Sequence, residues 1–491
     1  MRRLILGTVA FALPLFTGLS TAAAAPPTVY VRPDGSDLCS GTQNLAFNIT
    51  LQCAKRTIQK GVDTVQGRGT VKVAAGTYIE NVIVGKSVSI IGAGIGKTIV
   101  IPALSNPNPC DNSSLCDGAA SNMFLVRASN VWIGGLTING DNPAKTGVTV
   151  AGVDIDARNG IIEDHTKGIY SGLNVRNVEI KNVYLRAINA ASGGKSINIS
   201  NNTISNVLGS EFSVAIFISE GSGTVSGNKI SNTSDAISAN YSFGIKMTDN
   251  VITNSGSGLH IDNNKPPGPG VLLDLIENNQ VSNCTAGGFG VWLLTPHGNA
   301  VVNANTVTQC DVGFAVLGGG ADSDVTFTAN SATGTGATNT AGIVVTTDTF
   351  AFGNFDTGAA FTNNSVSGFD VGVYIDEADG KTASVYLDNQ HVSNCTAGVE
   401  NHADTTIVDS CVRLNNKGIV NAEGGSTTVH TSNISGNDTA GVENLDGLPM
   451  NAADNFWGNA SGPAPTGSGD AVIGNVTFSP FLSTSPVVCD P

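Results

Sequence analysis

The sequence predicts an all-β chain wound as a parallel solenoid, and three observations predict it. A phrase Asn-x-Ile/Val-x-Asn recurs as NTISN at 202–206, NKISN at 228–232, NVITN at 250–254 and NQVSN at 279–283. It continues as NTVTQ at 305–309, NSVSG at 364–368 and QHVSN at 390–394, then degrades to SCVRLN and SNISGN. The first five copies start 26, 22, 29 and 26 residues apart, a period at which one supersecondary unit stacks on itself. Within each copy apolar residues alternate with polar ones at a period of two, with no 3.6-residue stripe, so the unit is built from short strands. Finally, 60 glycines beside abundant Asn, Ser and Thr supply residues that tolerate tight turns.

Taken from the first residue, Arg2 and Arg3 precede an apolar run from Leu4 to about Leu19, followed by Ala22–Ala25. This order matches an export signal over 1–25 with an A-x-A cleavage site. The run is short for a bilayer and contains Pro14, which disfavours a membrane anchor. Residues 26–491 are expected to form one elongated domain. Its parts are an entry cap at about 39–66, repeat coils at about 70–445 and a closing segment at about 446–482.

The segment RTIQKGVDTVQGRGTVKVAAGTYIENVIVGKSVSIIGAG, from Arg56 to Gly94, and the closing motifs DNFWGNASGP (454–463) and GDAVIGNVTFSPFL (469–482) flank the repeat. Together with the phrase they resemble the right-handed parallel β-helix family of secreted bacterial proteins, which includes polysaccharide lyases, hydrolases, esterases and epimerases. The resemblance implies a single-stranded right-handed parallel β-helix opened by a short N-terminal capping helix. It spans nearly the whole exported chain and fixes fold better than activity, because such a scaffold hosts many chemistries.

The formal charge is −15, and 22 Lys and Arg against 39 Asp and Glu would leave −17 after loss of the leader. That balance disfavours nucleic acid and anionic membrane, both of which need a basic face. The expected partner is an extracellular polysaccharide, met by a monomer that does not insert into membrane, in a secreted or periplasmic setting. Nine cysteines in an exported chain read as disulfides. Cys39 with Cys53 staples the entry, and Cys110 with Cys116 closes a loop. Cys284 and Cys310 occupy equivalent places in successive phrases, and strands about 4.8 Å apart suit a rung-to-rung bridge. Cys395 and Cys411 fall out of alignment and stay unpaired at this stage, as does Cys489.

Used as a ruler, the phrase aligns the strands that follow it: GLHID (258–262), GVWLL (290–294), GFAVL (313–317), GIVVT (342–346), GVYID (372–376), GVENH (398–402) and GIVNA (418–422). Side chains alternate along a strand. One outward column is then His260, Trp292, Ala315, Val344, Tyr374 and Glu400, and a second is Asp262, Leu294, Leu317, Thr346, Asp376 and His402. GVDID at 152–156 fits the same template and would present Asp154 and Asp156. No Lys or Arg stands in these columns.

Asp376, Glu400 and His402 on adjacent rungs could exchange protons and are the candidate catalytic group. Trp292, Tyr374, His260 and Asp262 are the candidate sugar-binding residues. The plainer reading is a solvated sheet carrying charged and aromatic side chains. Long insertions at 263–270, 295–300, 347–360 and 376–381 follow these same strands, on the edge where repeat proteins bind.

Three other segments compete. IIEDHTKGIY (161–170) gathers Glu163, Asp164, His165, Lys167 and Tyr170; it would take calcium, donate protons, or form a solvated loop. The expected cofactor set is otherwise empty. TDTFAFG (347–353) resembles the Asp-Phe-x-Phe-Gly motif of pectin methylesterases, but Thr349 intervenes and no Gln-Asp counterpart follows. FWGNASGP, around Trp457, reads as end-cap packing. The leading expectation is an exported β-helix that binds and modifies a uronate-containing polysaccharide by hydrolysis or elimination. The rival is a non-catalytic surface or matrix scaffold.

Overall fold

The computed structural model describes residues 27–489 apart from 112, 119, 263–272, 295–299, 320–324, 351 and 379. The leader expected over 1–25 and the insertions at 263–270 and 295–299 lie outside those residues. The described chain is a parallel β-helix with one helix, Ile58–Thr64, at its entry. Each coil lays one strand into a front sheet and two shorter strands into a back sheet. One turn, for example, runs Val214–Ser219 in front, then Gly223–Ser226 and Lys229–Thr233 behind, before Asp235–Asn240 returns to the front. The front sheet has 16 strands and the back sheet 29, all paired parallel with the coil before and after.

The back-sheet corner explains the repeated phrase. Its first Asn is buried and turned into the corner. Asn228 Nδ2 donates to Asn250 Oδ1 (2.9 Å) and to Ile199 O (3.0 Å), while Asn228 N also donates to Asn250 Oδ1 (3.0 Å). The same set of bonds recurs from Asn202 through Asn250, Asn279, Asn305 and Asn330 to Asn364. Buried backbone groups at a sharp bend need partners, and a stacked amide column supplies them coil after coil. Asn330 opens a copy of the phrase, NSATG, that carries Ala332 at the apolar position and so falls outside an Ile/Val pattern. The last residue of the phrase sits at positive φ: 58° at Asn206, 54° at Asn232, 53° at Asn254 and 55° at Asn283. Asn tolerates that region better than most residues.

Inward Val, Ile and Phe form one continuous core from Val29 to Trp457. The helix closes its N-terminal end. Thr57 Oγ1 accepts from Lys60 N, and the Glu80 carboxylate accepts from Ile58 N (2.8 Å) and Gln59 N (2.9 Å), which satisfies the first-turn donors. At the other end Trp457 is fully buried, with Phe478 and Phe481 packed on the same core. That covers an edge which would otherwise pair with another chain.

Disulfides join Cys39 to Cys53, Cys110 to Cys116 and Cys284 to Cys310, the last with Cα atoms 4.6 Å apart on neighbouring coils. Cys411 is bonded to Cys489, a pairing the sequence leaves open: the tail doubles back along the solenoid and reaches Cys411. Cys395 is a buried free thiol. GVDID also departs from the ruler. Val153–Ile155 pairs antiparallel with Val148–Val150 in a separate hairpin, and the front-sheet strand of that coil is Ala157–Glu163. Among the described residues no helix is long and apolar enough to cross a membrane, which says nothing about strands.

Candidate functional site: a trough on the front sheet

The front-sheet registers place His260 beside Trp292, then Ala315, Val344, Tyr374 and Glu400 along one column. Asp262 aligns with Leu294, Leu317, Thr346 and Asp376 along the next. A third outward column comes from the residue preceding a small residue, which is Ala187, Ala215, Ala236, Gly258 or Gly290 in successive coils. It runs Arg186, Val214, Asp235, Ser257 and Phe289. The glycine explains it: a Cβ on Gly258 would lie 2.1 Å from Gly290 O and 2.9 Å from Val281 Cγ1. The backbone is tucked inward there, so the residue before it also faces out.

Where the three columns meet, a trough of about 620 Å3 opens, lined by Arg186, Asp235, His260, Phe289 and Trp292 among others. At its base the His260 imidazole is 6% exposed and bridges two carboxylates. Nε2 lies 2.5 Å from Asp235 Oδ2 and Nδ1 lies 2.8 Å from Asp262 Oδ1. Burial alone would lower the imidazole, but the two carboxylates outweigh it and push it up to about 10. At neutral pH the imidazolium, donating from both nitrogens, is therefore the favoured form.

Trp292 stacks flat on that imidazolium, with centroids 4.3 Å apart and planes 14° from parallel. Its Nε1 donates to Ser257 Oγ (2.8 Å), and Phe289 leans against it at 5.5 Å. The indole plane is thus fixed by a cation on one face and a hydrogen bond at its edge. Arg186 forms the far wall. Its guanidinium lies 4.7 Å from the Phe217 ring centroid, and Nη1 donates to Leu185 O and Phe212 O. Burial draws it down to about 10.

The trough brings together His260, Asp262 and Trp292, three residues the sequence singles out. It adds Asp235 and Arg186, which the alignment misses because it reads only the third and fifth places of each strand while these two stand one place before the small residue, on coils that carry alanine where the template has glycine. Ala236 stands between Asp235 and Ile237, the partners of Ser257 and Leu259, and Ala187 follows Arg186 in the same way. Arg186 puts a cation on this face outside the two columns read from the sequence, which carry no Lys or Arg. A template allowing Gly or Ala and extended one residue towards the N-terminus would have found both.

Farther along, Tyr374, Glu400 and His402 come together. His402 Nε2 is 3.2 Å from Glu400 Oε1, and the Tyr374 and His402 rings are 5.7 Å apart. Glu400 and His402 are each about one-third exposed. The Tyr374 hydroxyl is raised by burial and then by the charges of Asp376 and Glu400. Three rungs separate Trp292 from Tyr374, about 14 Å at the usual strand spacing. Beside Asp376, Thr347 Oγ1 accepts from Ala378 N (2.8 Å), which ties down a loop carrying exposed Phe350 and Phe352.

Only part of 161–170 is a solvated loop: His165, Thr166 and Lys167 form an exposed turn, while Ile161–Asp164 are buried. Glu163 takes an inward position, 1% exposed, where Oε2 accepts from Ser192 Oγ (2.8 Å) and burial pushes the carboxyl up to about 7. Asp164 is buried against Arg127 Nε at 2.7 Å. Asp156 Oδ2 accepts from Asn142 N and Asp154 Oδ1 from Gly147 N, so these carboxylates are taken up by the hairpin. Among the described residues no three His, Cys, Asp or Glu side chains gather as metal ligands.

Residues 211–349 match the family model described as periplasmic copper-binding protein (NosD). Copper favours imidazole, thiolate and thioether donors. Within that span His260 has both nitrogens committed to carboxylates, Cys284 and Cys310 are bonded to each other, and Met247 is buried in the core. These described donors do not fit a copper ion; His297 lies outside the described residues. No curated protein matches the chain.

Similar solved structures include tailspike proteins of E. coli bacteriophage HK620. One is a point variant in complex with a pentasaccharide (14% identity, TM-score 0.53, covering 85% of this chain and 78% of that chain). A double variant has the same values. A second point variant with a pentasaccharide shows 13% identity and TM-score 0.53 at the same coverage. The likeness is one of fold: this chain is a right-handed parallel β-helix.

Proposed function

We propose that the chain is an exported solenoid that binds an extracellular polysaccharide along its front sheet, with the Trp292 trough as its main subsite. The observation that carries this reading is the fixed indole, stacked on an ion-paired His260 and flanked by Phe289 in an open trough. A rigid aromatic plane with hydrogen-bonding groups around it suits the apolar face and hydroxyl rim of a sugar ring. The pentasaccharides bound to the phage tailspikes support it by analogy of fold. Four disulfides and the periplasmic description of the matching family support export, with the leader at 1–25 removed and the remainder working as a monomer.

Modification of the glycan would fall to the group beyond the trough. Asp376 and Glu400 would share acid and base roles in hydrolysis of a uronate-containing chain, with His402 tuning Glu400 and Tyr374 contacting the sugar. In this reading the trough binds the chain and the proton transfers fall to the distal group. The test is retention and turnover of a polysaccharide panel by the parent, Trp292→Ala, Asp376→Ala and His402→Ala. Trp292→Ala should weaken binding tenfold or more, as truncation of a packed aromatic anchor does. The two distal variants should bind normally and release fewer reducing ends. A parent that retains no glycan in the panel would leave the scaffold reading in place.

A further inference from the structure

The outward column that carries His260 and Trp292 starts further back along the front sheet. Phe217, Ser238, His260 and Trp292 are successive register partners, so Phe217 stands three rungs before Trp292. That is about 14 Å at the usual strand spacing. The same interval separates Trp292 from Tyr374, with Ala315 and Val344 between them. Aromatic rings thus recur at every third rung of one column, and all three are half-buried.

Phe217 and Trp292 line one open trough and are held alike. The Arg186 guanidinium lies over the Phe217 ring at 4.7 Å, as the His260 imidazole lies over the Trp292 indole at 4.3 Å. Both of these side chains are buried and tied down, Arg186 by the carbonyls of Leu185 and Phe212, His260 by Asp235 and Asp262. Between the two rings Ser238 and His260 are buried, so the column is low there. The trough therefore presents two fixed aromatic planes, each with a cation at one face, and a polar dip between them.

The interval carries the inference. In an extended glycan each pyranose unit advances the chain by roughly one strand spacing. Units stacked on Phe217 and on Trp292 are then three linkages apart, with two further units over Ser238 and His260. We propose that Phe217 is a second sugar platform, and that the trough takes a four-unit stretch of an extended, unbranched glycan lying parallel to the solenoid axis. The proposal rests on the reading of Trp292 as a sugar platform and adds the direction of the chain and its minimum length.

The test is affinity against chain length, by calorimetry on the full-length, disulfide-bonded protein. The probes are oligogalacturonides of two to six units, and the same sizes cut from any other unbranched polysaccharide that the parent retains. The parent should bind four units at least tenfold more tightly than two, the effect expected of a second packed aromatic anchor. Phe217→Ala should lose that gain and bind the two-unit probe within twofold of the parent. Phe217→Leu, which keeps apolar bulk without a ring plane, should behave in the same way. In both variants the two-unit probe should still shift the Trp292 indole N–H resonance, which shows that the trough is intact. Equal affinity for two and four units, or a Phe217→Ala protein that binds four units like the parent, would overturn the proposal and leave Trp292 as a platform. A Trp292→Ala protein that binds every length like the parent would instead sink the trough reading, and this proposal with it. A parent that binds no length of any of these chains would do the same.

Discussion

Glu163 occupies a position in the front sheet where neighbouring coils place Val126 and Ala190. A carboxyl there is stable inside the fold as the acid and costly as the anion, which is why burial pushes it up to about 7. In the unfolded chain it titrates near 4.3. Between those values the folded state holds the extra proton, so stability declines as pH rises through that window and levels off above it. The size is about 3 kcal/mol, from two to three pKa units. Melting temperature measured from pH 4 to 8 should fall across this range in the parent, and the fall should shrink in Glu163→Gln. Equal slopes would mean that Glu163 is ionised and solvated in the fold. Nothing in IIEDHTKGIY signals this inward turn, because the strand begins at Ala157 and its register is set by neighbours that are distant in sequence. His260 is another case of the same kind. Its place in a column follows from alternation, yet its locked charge depends on Asp235, which lies one coil earlier and 25 residues away.

At the scale of the coil, the glycine of the phrase does work that turn propensity does not describe. Gly258, Gly290, Gly313, Gly342, Gly372, Gly398 and Gly418 each face the carbonyl oxygen of the equivalent residue on the next coil. In Gly290→Ala the new Cβ would meet Gly313 O at 2.5 Å and Val307 Cγ1 at 2.4 Å. Forcing the rungs apart should cost about 1–3 kcal/mol, the usual range for overpacking a filled core. Thermal or urea unfolding checks this, and an unchanged midpoint would show that the rungs can shift at no expense. Much of this level was legible in the sequence. The period, the alternation and the outward columns from His260 to Glu400 follow from the phrase alone, and so does the juxtaposition of Cys284 and Cys310. What stayed hidden did so for definite reasons. Arg186 and Asp235 stand one place before the small residue, which the two-column template does not read, and their coils carry Ala187 and Ala236 in the glycine place. The Cys411–Cys489 bond joins a coil to a tail that belongs to no repeat. GVDID fits the template by letter but forms a hairpin, since the strand after it satisfies the register instead.

Over the whole molecule, the amide column at the back corner and the apolar core are continuous, while the chemistry is concentrated on one outward face. Each coil is held mainly by its two neighbours, as in other solenoids, so the front-sheet side chains sit on a rigid and evenly spaced lattice. A chain-like ligand lying along that lattice would meet Trp292 and then the Tyr374–Glu400–His402 group about 14 Å further on. Among the charged residues lining the trough, Arg186 and the ion-paired His260 stand against Asp235 and Glu211, so the lining itself is not strongly acidic. The central claim is that the fixed indole of Trp292 is where glycan sits. The most direct measurement is the indole N–H spectrum during titration with a polysaccharide that the protein retains. The Trp292 resonance, whose proton is donated to Ser257 Oγ, should shift in proportion to bound glycan while that of Trp132 stays fixed. A glycan that binds and leaves Trp292 unmoved would contradict the account.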